Sequence, residues 1–146
     1  MVDKKDVTDP FVDVRLGKAK LAKTSVVNND LNPKWDESYR IEVCHFADAL
    51  TFEIRDKDHA YSEYIGCVEI PTTDLLNGQV FKGPHPIKSK SGKTKGTLTI
   101  EVYFRYVDIF INKSWSTLNA LLVKVGISCA KLREKLSTQF SKTHFI

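Results

Sequence analysis

Along the first two thirds of the chain, hydrophobic and polar residues alternate in short runs. Phe11-Val12-Asp13-Val14-Arg15-Leu16, Thr51-Phe52-Glu53-Ile54-Arg55 and Gly96-Thr97-Leu98-Thr99-Ile100-Glu101-Val102-Tyr103-Phe104 repeat at a period of two. That period belongs to strands with one face in a core. It predicts strands at about residues 10–16, 22–27, 38–43, 50–56, 64–70 and 97–106, the regular spacing of an all-β sandwich. Asp9-Pro10 is a turn dipeptide that feeds the first strand. Thr72-Thr73-Asp74-Leu75-Leu76-Asn77-Gly78 reads as one or two helical turns, with a polar start and a closing glycine. In Asn32-Pro33-Lys34-Trp35 the proline sets a turn, and Trp35 is expected at the edge of the core. Lys88 to Gly96 is a polar, basic loop that is able to touch acidic lipid, although such runs are usually solvated hairpin loops.

Beyond residue 106 the period changes. Trp115, Leu118, Leu121, Leu122, Val125, Cys129, Leu132 and Leu136 recur every three or four residues, which predicts an amphipathic helix over about 114–139 with Gly126 as its weak point. Lys124 interrupts it, and its apolar run is well short of the roughly 20 residues of a membrane span. The chain therefore divides into a sandwich, 1–106, and a basic, helical tail, 107–146, which lies on a membrane, packs on the sandwich, or is foreign to the domain.

At 146 residues the chain has room for one domain, and 42% hydrophobic with 27% charged residues is an ordinary globular composition. Cys44, Cys67 and Cys129 are odd in number and stand in no metal-ligand spacing, and Met1-Val2-Asp3-Lys4-Lys5-Asp6 is charged where a signal peptide is apolar. Both point to a reducing, cytoplasmic setting. Residues 1–106 hold 16 basic and 16 acidic residues, so the net +4 comes from the tail. A tail of that composition fits an anionic membrane surface and a solvated helix face equally well.

The chemistry is concentrated where one strand ends. Asp56, Asp58 and Glu63 crowd three carboxylates into the connection before Tyr64-Ile65-Gly66-Cys67-Val68 resumes a strand. Folding alone does not ask for this, since like charges at close range repel. A loop that keeps them is either fully solvated or holds a cation, and calcium is the cation that takes several hard oxygens on a flexible loop. Asp3 and Asp9, six residues apart ahead of the first strand, form a second acidic loop able to share that site.

The pieces Asp3-(five residues)-Asp9-Pro10-Phe11-Val12, Leu31-Asn32-Pro33-Lys34-Trp35-Asp36-Glu37-Ser38-Tyr39, Asp56-Lys57-Asp58 and Ile65-Gly66 stand in an order and spacing that resemble a C2 domain. The resemblance implies an eight-stranded antiparallel β-sandwich whose loops at one end bind calcium and then phospholipid. It makes Asp3, Asp9, Asp56, Asp58 and Glu63 the calcium ligands; at Glu63 the usual ligand is an aspartate, and this loop is one residue shorter. Arg15, Lys18, Lys20, Lys23, Lys34 and Arg40 lie on strands that form a basic, lipid-attracting patch in the family, with Lys18, Lys20, Lys23 and Arg40 the candidates carried forward. Once calcium cancels the loop charge, His59, Ala60 and Tyr61 at the tip are expected to approach the headgroups, while Tyr64 belongs to its strand and packs.

Within the family, Cys44-His45-Phe46, Phe52-Glu53-Ile54-Arg55-Asp56, Ile65-Gly66-Cys67-Val68-Glu69-Ile70-Pro71 and Leu75-Leu76-Asn77-Gly78 resemble the C2 domain of plant-type phospholipase D enzymes. The catalytic part of such an enzyme needs His-x-Lys motifs, and none of His45, His59, His85 or His144 has Lys two places on. The strand that precedes the first calcium loop in the family has no counterpart here, so the chain starts inside the domain, as a fragment or an alternative start would, and leaves a neighbouring strand unpaired. The expectation is a non-catalytic, calcium-dependent phospholipid-binding module, cytoplasmic and peripheral to membranes, whose catalytic domain lies outside this chain. No nucleic-acid partner is expected. The alternative is a calcium-independent protein-interaction domain with vestigial acids.

Overall fold

The structure, a computed structural model, describes residues 7–43, 45–111 and 114–125, with side chains as far as residue 105. The stretches of period two become strands β1 (Pro10–Leu16), β2 (Ala19–Lys23), β3 (Glu37–Glu42), β4 (Ala49–Lys57), β5 (Ser62–Pro71), β6 (Phe81–Lys88), β7 (Thr94–Ile111) and β8 (Ser114–Val125), with one short helix, α1 (Thr72–Leu76). All neighbours are antiparallel, in the order β2-β1-β4-β5-β6-β7-β8-β3. β5 and β6 share a single register pair, Cys67↔Lys88. There the sheet folds over, so that β2-β1-β4-β5 faces β6-β7-β8-β3 as the two layers of a sandwich.

The alternation places every second side chain between these layers. Val12, Val14 and Leu16 of β1, Leu50, Phe52 and Ile54 of β4, and Val68 and Ile70 of β5 meet Ile87 of β6 and Leu98, Ile100 and Val102 of β7, all buried. Leu75 of α1 is fully enclosed in the same core, and Trp35 is 7% exposed within it, as expected. Asn77 and Gly78, at φ +85°, close α1 at the glycine that the sequence marks as its end.

Three sequence readings are corrected. The second strand is Ala19–Lys23 rather than 22–27, because Gly17 at φ +60° turns the chain at once and pairs Leu16 with Ala19. β6 is missing from the expected strands, since Pro84 and Pro86 argue against one. Proline is tolerated here because β6 pairs fully only on its β7 side.

The third correction is the helix expected over 114–139. Residues 114–125 are strand β8, paired with β7 from Ile111↔Ser114 to Ile100↔Val125 and with β3 from Glu42↔Ala120 to Glu37↔Val125. Ser114, Ser116, Thr117, Asn119, Val123 and Val125 are modest helix formers, and two open strand edges offer this backbone its hydrogen bonds. The remainder of that helix, 126–139, lies outside the described residues. β7 also runs on across residue 106 to Ile111, and β3 is paired by β8.

Candidate functional site

Strand direction decides which loops share an end. β1 starts, β4 ends and β5 starts at the same place, through Pro10↔Asp56 and Lys57↔Ser62. β2 runs back to that end, so the 24–36 connection lies there too: Val27 N–H donates to Pro10 O at 3.1 Å and Asp30 N–H to Thr8 O at 3.1 Å. β6 runs toward it and β7 away from it, which adds the turn at 89–93. The opposite end carries the Gly17-Lys18 turn, α1, the end of β7 and the start of β8.

Four of the five candidate metal ligands stand at the first end. Asp56 sits opposite Pro10 on one side and Glu63 on the other, Asp9 precedes Pro10, and Asp58 lies one residue beyond β4. Asp56 Oδ1 accepts the Asp9 N–H at 2.7 Å, Asp9 Oδ1 accepts the Asn29 N–H at 2.7 Å, and Lys57 N–H donates to Asp9 O at 3.0 Å. Asp58 N–H donates to Tyr61 O at 2.9 Å, which makes 58–61 a tight turn. Arg55 braces its base, with Nε on Ser62 Oγ at 2.9 Å and a second guanidinium nitrogen on Ser62 O at 3.1 Å.

Asp3 lies outside the described residues. Among the described residues no three His, Cys, Asp or Glu side chains converge on one point that would hold a metal. The donor set is nonetheless of the kind calcium takes, hard carboxylate oxygens on loop residues. Asp9 and Asp56 each commit Oδ1 to a backbone amide, and Oδ2 of each has no hydrogen bond among the described residues.

The candidate lipid-contacting residues are dispersed. Tyr61, 70% exposed, and His59 are on the tip of the acidic turn. Lys18 is exposed at the opposite end. Lys20 and Lys23 are on the outer face of the β2-β1-β4-β5 layer. Lys20 Nζ lies 2.7 Å from Oδ1 of Asp13, whose residue is only 4% exposed, and Arg15 Nε lies 3.4 Å from Glu53. These contacts compensate charge without aligning as hydrogen bonds. Lys23 Nζ stands 4.1 Å from the centroid of the Phe11 ring, which its stem covers. Arg40 is exposed on β3. Tyr64 is half-buried in β5 as expected, and burial raises its phenol well above the usual tyrosine range, helped by Cys67, Glu53 and Glu69.

Sequence reasoning missed that the lysines of the 88–95 turn stand at the acidic end. Lys90 Nζ lies 5.3 Å from the centroid of the Tyr64 ring, beside Glu63. Counting strand reversals would have placed them, but without β6 the count comes out one short and puts that turn at the wrong end.

Comparison with known proteins agrees with this architecture. The C2 domain family model matches residues 1–87, well over half of the chain. Phospholipase D gamma 3 of Arabidopsis thaliana is 37% identical over 89 residues, covering 61% of this chain and 10% of that protein. Phospholipase D alpha 1 of Vigna unguiculata is 27% identical over 114 residues, 77% of this chain and 14% of that protein. The chain thus spans about a tenth of the length of these relatives. Among solved structures, a pair of C2 domains from extended synaptotagmin 2 aligns with TM-score 0.52 at 15% identity, over 86% of this chain and 36% of that one. A calcium-bound structure of the same pair aligns with TM-score 0.50 at 17% identity, over 80% and 35%. With a two-layer antiparallel sandwich, acidic loops gathered at one end and a family match over residues 1–87, the chain belongs to the C2-domain family.

Proposed function

We propose that this chain is a calcium-dependent phospholipid-binding module, without catalysis of its own, that docks peripherally on the cytoplasmic face of a membrane. The observation that carries the reading is the gathering of Asp9, Asp56, Asp58 and Glu63 from two separate stretches of sequence at one end of the sandwich. Carboxylates so placed repel one another and an anionic bilayer alike. These carboxylates, with Asp3 as a further ligand, would hold a calcium ion, whose charge would cancel both repulsions and supply an attraction for lipid phosphate. Tyr61 and His59, on the tip of the same turn, then reach headgroup depth. The relatives are phospholipases D, and the enzyme that this module serves is proposed to carry its catalytic part outside the present sequence.

One observation favours a second reading. Oδ1 of Asp9 and Oδ1 of Asp56 are already satisfied by backbone amides, as expected of acids that merely pin loops in a calcium-independent interaction domain.

Sedimentation with anionic and zwitterionic vesicles, in calcium and in chelator, separates the two when run beside a thermal melt. Calcium-dependent pelleting with a raised melting temperature is expected. The pair Asp56→Asn and Asp58→Asn keeps side-chain size and removes charge, so it is expected to abolish both responses while leaving the chelator melt within a few degrees. Normal calcium and lipid binding by that variant would reject the ligand set, and a folded parent indifferent to calcium would favour the second reading.

A further inference from the structure

Among the described residues, the β6–β7 turn is a strongly charged surface that the proposed calcium site does not use. Lys88, Lys90, Lys93 and Lys95 all lie within eight residues that contain no acid, and all four are exposed. Among the described residues none of their ammonium groups meets a carboxylate: Lys88 Nζ donates to Thr94 Oγ1 at 2.8 Å, and Lys90 Nζ faces the Tyr64 ring. Some basic residues differ in this respect, Lys20 being held by Asp13, Arg55 by Glu53 and Lys82 by Glu101. The turn itself is fixed. Ser89 N–H donates to Lys93 O and Gly92 N–H to Ser89 O, both at 2.9 Å, with Gly92 at φ +78°. A bulge between Ile87 and Lys88 leaves Lys95 as the extra residue of the ladder.

The position of this turn matters as much as its charge. It stands at the end of the sandwich that carries Asp56, Asp58 and Glu63, held there by the Lys90–Tyr64 contact. We propose that it is a second, metal-independent contact for an anionic phospholipid surface, placed so that the lysines and the acidic loops meet the same bilayer. This rests on the membrane-binding part of the function proposed above and not on its calcium part. A lipid surface suits the turn better than a nucleic acid does. The flanking carboxylates would repel a continuous polyanion laid across this end, whereas lipids move laterally and bring their phosphates to the lysines alone. Exposed Tyr61 at the same end also suits a headgroup layer.

A lysine held at an anionic bilayer contributes roughly fivefold to partitioning, so four together give on the order of several hundredfold at low salt. The test uses the full chain and phosphatidylcholine vesicles with and without phosphatidylserine, all in chelator. The parent is expected to prefer the phosphatidylserine vesicles and to lose that preference as salt rises. K88Q/K90Q/K93Q/K95Q is expected to lose most of it, while the corresponding four-arginine variant retains it. Thermal melts with and without calcium report fold and calcium site separately, and the glutamine variant is expected to keep the parent's calcium response. Equal partitioning of parent and glutamine variant, no binding by the parent in chelator, or capture of an RNA oligonucleotide in preference to phosphatidylserine vesicles would each overturn the proposal. A parent indifferent to calcium that still binds through these lysines would refute the calcium site and leave this contact standing.

Discussion

Glu37 fastens the loop that carries Asn29, the amide donor to Asp9. Its Oε1 accepts both the Ser25 hydroxyl and the Ser25 N–H, the latter at 3.0 Å, and its Oε2 accepts the Tyr39 hydroxyl. Tyr39 in turn reaches Lys23 O at 3.0 Å, so one carboxylate ties the end of β2 to the start of β3. Partial burial raises the proton affinity of Glu37, but the hydrogen bonds from Ser25 and Tyr39 outweigh it and hold the carboxyl below its ordinary 4.5. A group depressed in the folded state stabilises fully above its ordinary value and ceases to do so as pH falls through the folded one. Glu37→Gln is therefore expected to lower the melting temperature at pH 7 by a few degrees, as a loss of about 1 kcal/mol does in a domain of this size. It is also expected to narrow the gap between melts at pH 7 and pH 3. An acid limb as steep as the parent's would show that Glu37 titrates as it does in the unfolded chain. Asp13 uses its carboxylate differently, drawing Lys20 and Arg15 over the outer face of β1. That is why Lys20, a lipid-contact candidate in sequence, spends its charge within the protein.

At the scale of elements, the fold-over between β5 and β6 is the tightest junction. A Cβ on Gly66 would lie 2.7 Å from Ile87 Cγ2 and 2.8 Å from Lys88 O, and the carbonyl cannot swing away as a side-chain tip can. Gly66→Ala is expected to cost about 1–3 kcal/mol, the range for overpacking, through separation of the layers at Cys67↔Lys88. An unchanged denaturation midpoint would mean that this junction has room that the distances deny. Elements with one buried and one solvated face were legible in sequence, because burial itself writes the alternation. β1, β4 and the first half of β7 came out within a few residues, and Trp35 and α1 as described. β6 was illegible because Pro84 and Pro86 mask a strand that needs hydrogen bonds along one side only. β8 was illegible because Trp115, Leu118, Leu122 and Val125 fit a helix as well as a strand, and the open edges of β3 and β7 that decide the matter are 78 to 88 and 3 to 25 residues away in the chain. The acidic loops could be read from composition and resemblance. The lysine turn could be read only as charge, since its end of the sandwich depends on counting β6.

For the whole molecule, β8 determines where the folding unit stops. Among the described residues, β3 pairs with no strand other than β8, and β8 in turn continues the ladder of β7. A chain cut after residue 106, where composition alone divides it, would leave β3 without a ladder and β7 with an open edge over the core residues Ile100 and Val102. Each lost backbone hydrogen bond removes on the order of 1 kcal/mol, and a domain of this size is stable by only about 5–15 kcal/mol. Residues 1–106 are therefore expected to give no cooperative thermal transition and to aggregate through the exposed edges, whereas residues 1–126, which keep β8, are expected to melt close to the full chain. Because β3 also anchors Glu37, and through it the loop that meets Asp9, the shorter chain is expected to lose any calcium-induced stabilisation together with its fold. A cooperative melt of residues 1–106 at the parent's temperature would show that β8 only lies against a sandwich complete without it, and would return the boundary to residue 106.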